Sequence, residues 1–149
     1  MNDMFAALEG LTDHDPSRRD VAAGGLGDLL RGTALDTDTA RLVVARLVSL
    51  AVNEPVARVR ESALNSISEA FNHHHLPLDL VEPLAAALST MEPEPLAHTI
   101  YILGATHNPR ARPLIEPFLD HPDPELREEA RLATDEITAS ESESPTHKS

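Results

Sequence analysis

Three consecutive histidines, His73 to His75, stand in a chain that contains no cysteine. Imidazole nitrogens are common ligands of metal ions, so this run raises the question of a metal centre and hence of an enzyme. Successive residues of a helix point about 100° apart, so three adjacent histidines on a helix do not converge on one ion. Two histidines four residues apart, the spacing that zinc sites on helices use, do not occur in the sequence.

The histidine run also has a structural interpretation. Phe71 completes an apolar stripe just before it, and Pro77 prevents the helix from continuing, so the run marks the end of a helix, where the helix dipole favours positive charge. His73–His75 and His107 lie in consecutive loops of one rim, so a metal site there would use two of these four histidines together with Asp79. We predict no metal and no other cofactor. The candidate ligands, should a metal bind, are His73, His74, His75, Asp79 and His107.

No other segment has the pattern of a catalytic site. The glycine-rich stretch "AAGGLG" lies within a helical pattern and lacks the lysine and hydroxyl residue that complete a phosphate-binding loop. The absence of cysteine excludes thiol nucleophiles and disulfides. Neighbouring carboxylates such as Glu128 and Glu129 are expected on any solvated helix face. The sequence therefore predicts a protein that is not an enzyme.

The composition favours an all-α fold. Hydrophobic residues make up 41% of the 149 residues but aromatic residues only 3%, so the core consists of small aliphatic side chains. Such side chains suit closely packed helices, whereas strands favour aromatic and β-branched residues. A chain of this length forms one domain with a sizeable core.

The charge limits the choice of partner. The formal net charge is −13, from 25 acidic and 12 basic residues. Nucleic acid and anionic membranes are poor partners because their binding depends largely on lysine and arginine, so a basic protein is the partner we expect. The negative charge is equally compatible with a role in solubility alone. The sequence begins without a basic segment followed by a long apolar one, so we expect a cytoplasmic protein. We also expect it to be a monomer.

An internal repeat organises the chain. The segments "DPSRRDVAA" from Asp15, "EPVARVRESA" from Glu54 and "DPELREEA" from Asp123 share an acid followed by proline, then arginine and alanine. Acid followed by proline is typical of a helix start, because the acid caps the helix and proline fits its first position. A fourth segment, "EPLAHTIYILG" from Glu94, has alanine in place of the arginine. The aligned anchor residues are Arg19, Arg60, Ala97 and Arg127.

This repeat resembles HEAT repeats, including those of short bacterial HEAT-like proteins. The resemblance implies a right-handed α–α superhelix of about four antiparallel helix pairs, whose neighbouring pairs share one elongated core. We expect a HEAT-like domain over residues 1–138, with units of about 2–34, 37–73, 78–106 and 109–138. The serine- and glutamate-rich residues 139–149 have no apolar period and are predicted to be disordered.

The anchor alignment also predicts the binding surface. The position after each anchor gives a largely acidic row, and the position four residues later gives a half-apolar row; in a solenoid both would line the concave face that such proteins use for binding. The alternative is an ordinary solvated helix face with two stray aliphatic residues. The predicted partner-binding residues are Asp20, Glu61, Asn65, His98, Ile102, Glu128 and Leu132.

The expected function is a non-enzymatic module that binds a basic protein through this acidic face. HEAT-like folds occur among bacterial immunity proteins, so an antidote to a toxin is a specific form of this hypothesis. The resemblance also extends to bilin lyase subunits, so an accessory enzyme that uses the rim of His73–His75 and His107 is the alternative. DNA glycosylases with this fold fit less well, because a DNA groove requires basic residues.

Overall fold

The computed structural model describes residues 2–32 and 35–142, which contain helices and no strand. Four short 3₁₀ segments, Leu78–Val81, Leu88–Thr90, Pro109–Ala111 and Glu116–Asp120, complete the secondary structure. The α-helices are α1 (Asn2–Gly10), α2 (Pro16–Arg31), α3 (Thr37–Asn53), α4 (Ala57–His73), α5 (Glu82–Ala86), α6 (Pro93–Ala105), α7 (Arg112–Ile115) and α8 (Pro124–Ser142). The all-α fold predicted from the composition is confirmed.

The predicted helix caps form at both ends of the chain. The Asp15 carboxylate accepts a hydrogen bond from the Ser17 backbone N–H at 2.9 Å, and the Asp123 carboxylate accepts one from Glu125 at 2.9 Å. The proline that follows each acid occupies the first helical position, where no N–H is needed. The local sequence therefore determines where α2 and α8 begin.

The anchor arginines have the same structural role in three units. In each, the guanidinium reaches back to two carbonyls of the loop that precedes its helix. Arg19 donates to Asp13 and His14 at 2.8 and 3.0 Å. The carbonyls of Glu54 and Pro55 accept from Arg60 at 3.0 and 3.2 Å. Those of His121 and Pro122 accept from Arg127 at 2.9 and 3.2 Å.

These contacts explain why arginine recurs at the anchor position. Its planar guanidinium donates several hydrogen bonds at once and so fixes the angle between a loop and the following helix. The third unit has Ala97 at this position, and α6 begins without a side-chain cap. The repeat inferred from the sequence is thus a repeat of loop geometry.

The helices form two layers. Each even-numbered helix contacts the next, so α2, α4, α6 and α8 stack in chain order as an inner layer. The odd-numbered helices lie against this layer, and the 3₁₀ turns that flank α7 contact α8. Since short loops connect partners that pack on each other, the members of each pair run in opposite directions. This arrangement of four helix pairs suits an α-solenoid.

The third and fourth outer elements, over residues 78–90 and 109–120, are not continuous helices. Each is a short α-helix flanked by 3₁₀ turns. Pro83, Pro113 and Pro117 lie within these stretches and remove backbone donors, which favours short 3₁₀ pieces over a regular helix. Buried Leu84 and Ile115 nevertheless hold both stretches against the core.

The buried stripe predicted on the inner helices is confirmed. Val59, Ala63 and Ile67 of α4 are fully buried, as is Ile137 of α8. Ala63, Ile67 and Ile137 belong to one continuous core that runs from Met4 in α1 to Ile137 in α8. None of the helices within the described residues is both long and apolar enough to cross a membrane.

The last helix extends beyond the predicted domain boundary. Residues 139–142, expected to be disordered, form the end of α8. Arg112 of α7 pairs with Glu141 at 2.8 Å and donates a hydrogen bond to Thr138 at 3.0 Å. This contact between two helices supplies the stabilisation that the polar sequence of the segment does not reveal. Residues 143–149 of the predicted tail lie outside the described residues.

Candidate functional site

We define the inner-helix face as the solvent-exposed side of α2, α4, α6 and α8. Three of the predicted residues lie next to one another across this face. The Nε2 atom of His98 on α6 is 3.9 Å from Oε2 of Glu61 on α4. Asp20 on α2 accepts a hydrogen bond from Ser62 of α4. The acidic row predicted from the repeat therefore crosses at least three helices.

The prediction for Ile102 is wrong. Its side chain is fully buried in the core, whereas the neighbouring Tyr101 is 41% exposed. The helix α6 contacts α4 on one side, α8 on the other and the outer layer behind, which leaves only a narrow strip of α6 in solvent. That strip is centred on Tyr101, one residue earlier than the alignment predicted.

The remaining predicted residues are exposed, but their surroundings differ. Asn65 of α4 lies in solvent. Leu132 of α8 is 49% exposed. Glu128 forms an ion pair with Arg131 of the same helix, so part of its charge is already neutralised. Leu132 therefore offers the strongest apolar contact of the predicted set.

A groove between α6 and α8 contains two of the exposed large apolar side chains of this face, Tyr101 and Leu132. We call it the α6–α8 groove. One cavity of about 380 Å³ is bordered by Tyr101, Ala105 and Leu132, and it adjoins a second of about 510 Å³ that reaches His98. Both cavities share Tyr101 and Glu129. The phenol of Tyr101 donates a hydrogen bond to the Asn72 side chain at 3.0 Å, which orients the ring over the groove.

Acidic side chains surround this groove. Burial raises the pKa of Glu129, while the nearby His98 acts in the opposite direction. Glu136 accepts a hydrogen bond from His107 Nε2 at 2.7 Å. A partly buried carboxylate without an arginine partner retains a strong field, because little solvent screens it. The groove therefore combines apolar contact with negative potential.

The matching groove between α2 and α4 is more polar, although Val21 is exposed in it, and one arginine pairs with two of its acids. Its cavity, of about 500 Å³, is lined by Gly24, Gly25 and Asn65 among others. Arg31 pairs there with Asp28 at 3.0 Å and with Glu69 at 3.3 Å. We call this the α2–α4 groove.

The predicted histidine rim exists but its donor atoms do not converge. His73, His74, His75 and His107 line one shallow cavity of about 200 Å³. His74 Nε2 donates to the carbonyl of Leu30 at 3.0 Å, and His107 bonds to Glu136. Asp79 lies 3.7 Å from Arg110. Within residues 2–32 and 35–142, the donor atoms that come within 4.8 Å of one another belong to a different set: Glu61, Glu94 and His98.

Sequence reasoning did not identify Glu94 as part of this cluster. A hydrogen bond with Glu94 raises the pKa of Glu61, and burial and the charge of Asp20 add to the effect. A signal was present in "EPLAH", because an acid and a histidine four residues apart lie on the same side of a helix.

The fold and this surface define a class: an all-α protein of stacked helix pairs with an acidic, partly apolar inner face. No protein-family model matches the sequence, and no curated protein is significantly similar to it. The crystal structure of an engineered protein, a target of the Northeast Structural Genomics Consortium, is similar with a TM-score of 0.63. The two sequences are 16% identical, and the match covers 94% of this chain and 68% of the engineered one. At this identity, the likeness supports the fold alone.

Proposed function

We propose that this chain is a non-enzymatic, HEAT-like interaction module of the cytoplasm that binds a basic protein through its inner-helix face. The observation that carries the proposal is the α6–α8 groove, where exposed Tyr101 and Leu132 stand beside the partly buried carboxyl of Glu129. Protein interfaces combine an aromatic or aliphatic centre with charged groups that orient the partner. The formal net charge of −13 supports a basic partner.

The groove favours a particular kind of contact. Tyrosine offers a large contact area and loses little conformational entropy on binding, and its ring is already held by Asn72. A lysine or arginine of the partner that reaches Glu129 or Glu136 can place its alkyl stem against Leu132. We therefore expect the binding segment of the partner to alternate basic and apolar side chains. An antidote that covers a basic toxin is one form of this proposal.

The test is an affinity capture from a lysate of the organism that encodes the chain, with the intact protein as bait, followed by mass spectrometry. The captured protein is then purified, and its affinity for the wild-type chain is measured at several salt concentrations. We expect one basic protein, bound less tightly as salt rises. Replacing Tyr101 and Leu132 together by alanine should weaken binding by at least about tenfold, the usual loss for central interface residues.

Two charge-reversal variants locate the face. Glu61→Lys with Glu128→Lys changes the inner-helix face, and Glu82→Lys with Glu116→Lys changes the exposed outer layer by the same net charge. Only the first pair should lower affinity, with helicity unchanged by circular dichroism. Equal losses from the two pairs would show that binding depends on net charge and does not use this face. A toxin gene beside the gene for this chain would favour the antidote form.

A further inference from the structure

Two pairs of glutamate and histidine occur at a spacing of four residues on the inner helices. Glu69 and His73 lie on α4, and Glu94 and His98 lie on α6. This spacing places a carboxylate and an imidazole on one side of a helix, one turn apart. The two pairs thus present the same two ligand types in the same geometry. The two pairs differ in the type of residue that the neighbouring helix places beside them.

In the first pair, the glutamate forms an ion pair with an arginine of a neighbouring helix. Arg31 of α2 lies 3.3 Å from Glu69, and Glu69 lies 3.5 Å from His73 Nε2. The guanidinium neutralises the carboxylate, so this pair has no excess negative charge to offer an ion. Substitutions in this first pair, which we call the reference pair, therefore serve as a control for substitutions in the second pair.

In the second pair, the neighbouring helix brings a further carboxylate close to the glutamate and the histidine. Glu61 of α4 approaches Glu94 and His98 so that one donor atom from each residue lies within 4.8 Å of the others. The anchor position that carries arginine in the other units is Ala97 here, and Arg60, which lines the same cavity, donates to the carbonyls of Glu54 and Pro55. Two carboxylates therefore face each other across the helix contact beside an imidazole.

We propose that Glu61, Glu94 and His98 form a binding site for one divalent transition-metal ion, with zinc as the best fit. Imidazole and carboxylate donors suit this class of ion, and three protein ligands leave a position for water or another group. A tetrahedral ion with bonds of about 2.1 Å needs donor atoms roughly 3.4 Å apart, so modest rotations of the side chains close the site. Glu61 is 43% exposed and has room to rotate.

The position of the site supports entry of an ion. The three residues line a cavity of about 380 Å³ that opens between α4 and α6. The His98 side chain is 25% exposed, so it is accessible yet held by its neighbours. Ligands from α4 and α6 would be joined by the ion, which would link the second and third repeats where the third lacks its anchor arginine.

The experiment is isothermal titration of the full chain, freed of metal by chelation, with zinc chloride at neutral pH in a buffer that does not bind metal. The same titrations with magnesium and calcium chloride test the role of the imidazole, because these ions prefer oxygen ligands. We expect one zinc ion per chain and much weaker binding of magnesium and calcium. No measurable zinc binding, or equal affinity for all three ions, would overturn the proposal.

Matched variants locate the ion. Glu61→Gln and His98→Ala should each lower zinc affinity by more than about tenfold, since even second-shell partners of metal ligands contribute that much. The double variant Glu69→Gln with His73→Ala removes the reference pair and should leave the affinity unchanged. If instead His107→Ala or the reference double variant removes binding, the ion sits elsewhere and the proposed site is wrong.

A spectroscopic readout covers the case in which a variant fails to fold. Histidine side-chain resonances of the wild-type chain are followed by NMR during the zinc titration. The His98 resonances should change in parallel with the binding isotherm, while those of His73 should not. Changes confined to the other histidines would contradict the assignment.

Discussion

The contact between α2 and α4 and the contact between α6 and α8 use the same packing device. A Cβ on Gly27 would lie 3.0 Å from the Cβ of Ser66, and a Cβ on Gly104 would lie 2.8 Å from the Cα of Ala133. In both places a glycine lets two inner helices approach more closely than a side chain would permit. The two contacts differ in what surrounds the glycine.

The α2–α4 contact is joined by polar side chains. Ser66 donates a buried hydrogen bond to the carbonyl of Ala23 at 2.7 Å. Arg19 forms a two-point ion pair with Glu54, both bonds being 2.8 Å long, and the Glu54 side chain is only 2% exposed. These bonds tie the first repeat to the second, so the polar groups of this half are engaged in stability.

At the α6–α8 contact, apolar side chains remain exposed to solvent. Tyr101 and Leu132 are exposed, and Glu129 has burial rather than a cation as the main influence on its pKa. The two contacts therefore differ in how their polar groups are used. Ser66, Arg19 and Glu54 bond within the fold, whereas Glu129 has no such partner among the described residues and lies beside the exposed Tyr101 and Leu132. Four predictions test this difference, beginning with the largest expected effect.

Replacing Arg19 by alanine should produce the largest loss of stability. The substitution leaves the buried Glu54 carboxylate without its partner, which for a buried pair costs about 3 kcal/mol. Arg127→Ala removes the equivalent carbonyl contacts in the last repeat but orphans no buried charge, so its loss should be clearly smaller. Chemical denaturation of both variants measures the difference. Equal losses would mean that the ion pair contributes nothing beyond the anchor contacts.

The glycines test the packing device that the two contacts share. Gly104→Ala forces a Cβ against the backbone of Ala133, and we expect a loss of about 1–3 kcal/mol, typical of an overpacked core. Gly27→Ala should be similarly harmful, because the added Cβ would also push the Ser66 hydroxyl out of its hydrogen bond to the carbonyl of Ala23.

The control lies on the same helix as Gly27. A Cβ on Gly24 meets nothing within 4 Å, so Gly24→Ala should stabilise α2 by about 0.5–1 kcal/mol through helix propensity. Thermal melts and denaturant titrations of the three variants give the sign of each change. A destabilising Gly24→Ala would show that the α2–α4 groove is closed in solution.

Much of the fold was predictable because its signals are local. The caps at Asp15 and Asp123 and the apolar period of α4 each depend on a few neighbouring residues. The recurrence of arginine at Arg19 and Arg60 indicated a repeat, although its physical basis, the bonding of loop carbonyls, became visible only in three dimensions.

The parts that could not be predicted depend on the register between helices. Leu96, Ile100 and Leu103 mark the buried stripe of α6, and Ile102 lies at its edge. Whether a side chain at this edge is buried depends on how closely the neighbouring inner helices pack against it. The pairing of Arg19 with Glu54 joins two repeats and likewise needs their relative position. Glu94, in contrast, could have been predicted as a partner of His98, since the spacing of the two residues is a local signal.

The two halves should also respond in opposite ways to pH. The hydrogen bond from Arg19 holds the pKa of Glu54 below its usual value of about 4.3, so the ionised form stabilises the fold. This stability is present above pH 4.3 or so and is lost as the pH falls through the lowered pKa. Glu54→Gln should therefore cost about 1–2 kcal/mol at neutral pH, and the cost should shrink toward zero in acid.

Glu129 gives the contrasting case, with the smallest expected effect. Its pKa is raised by burial, so its ionised form opposes folding above that pKa and the penalty disappears as the pH falls. Glu129→Gln should slightly stabilise the chain at neutral pH and have no effect in acid, when measured by denaturation with a chelator present. A loss of stability from Glu129→Gln at neutral pH would mean that this carboxylate is paired as Glu54 is, and the contrast between the two halves would fail. A small gain would support the view that Glu129 is kept, at a cost to the fold, for contact with something outside the chain.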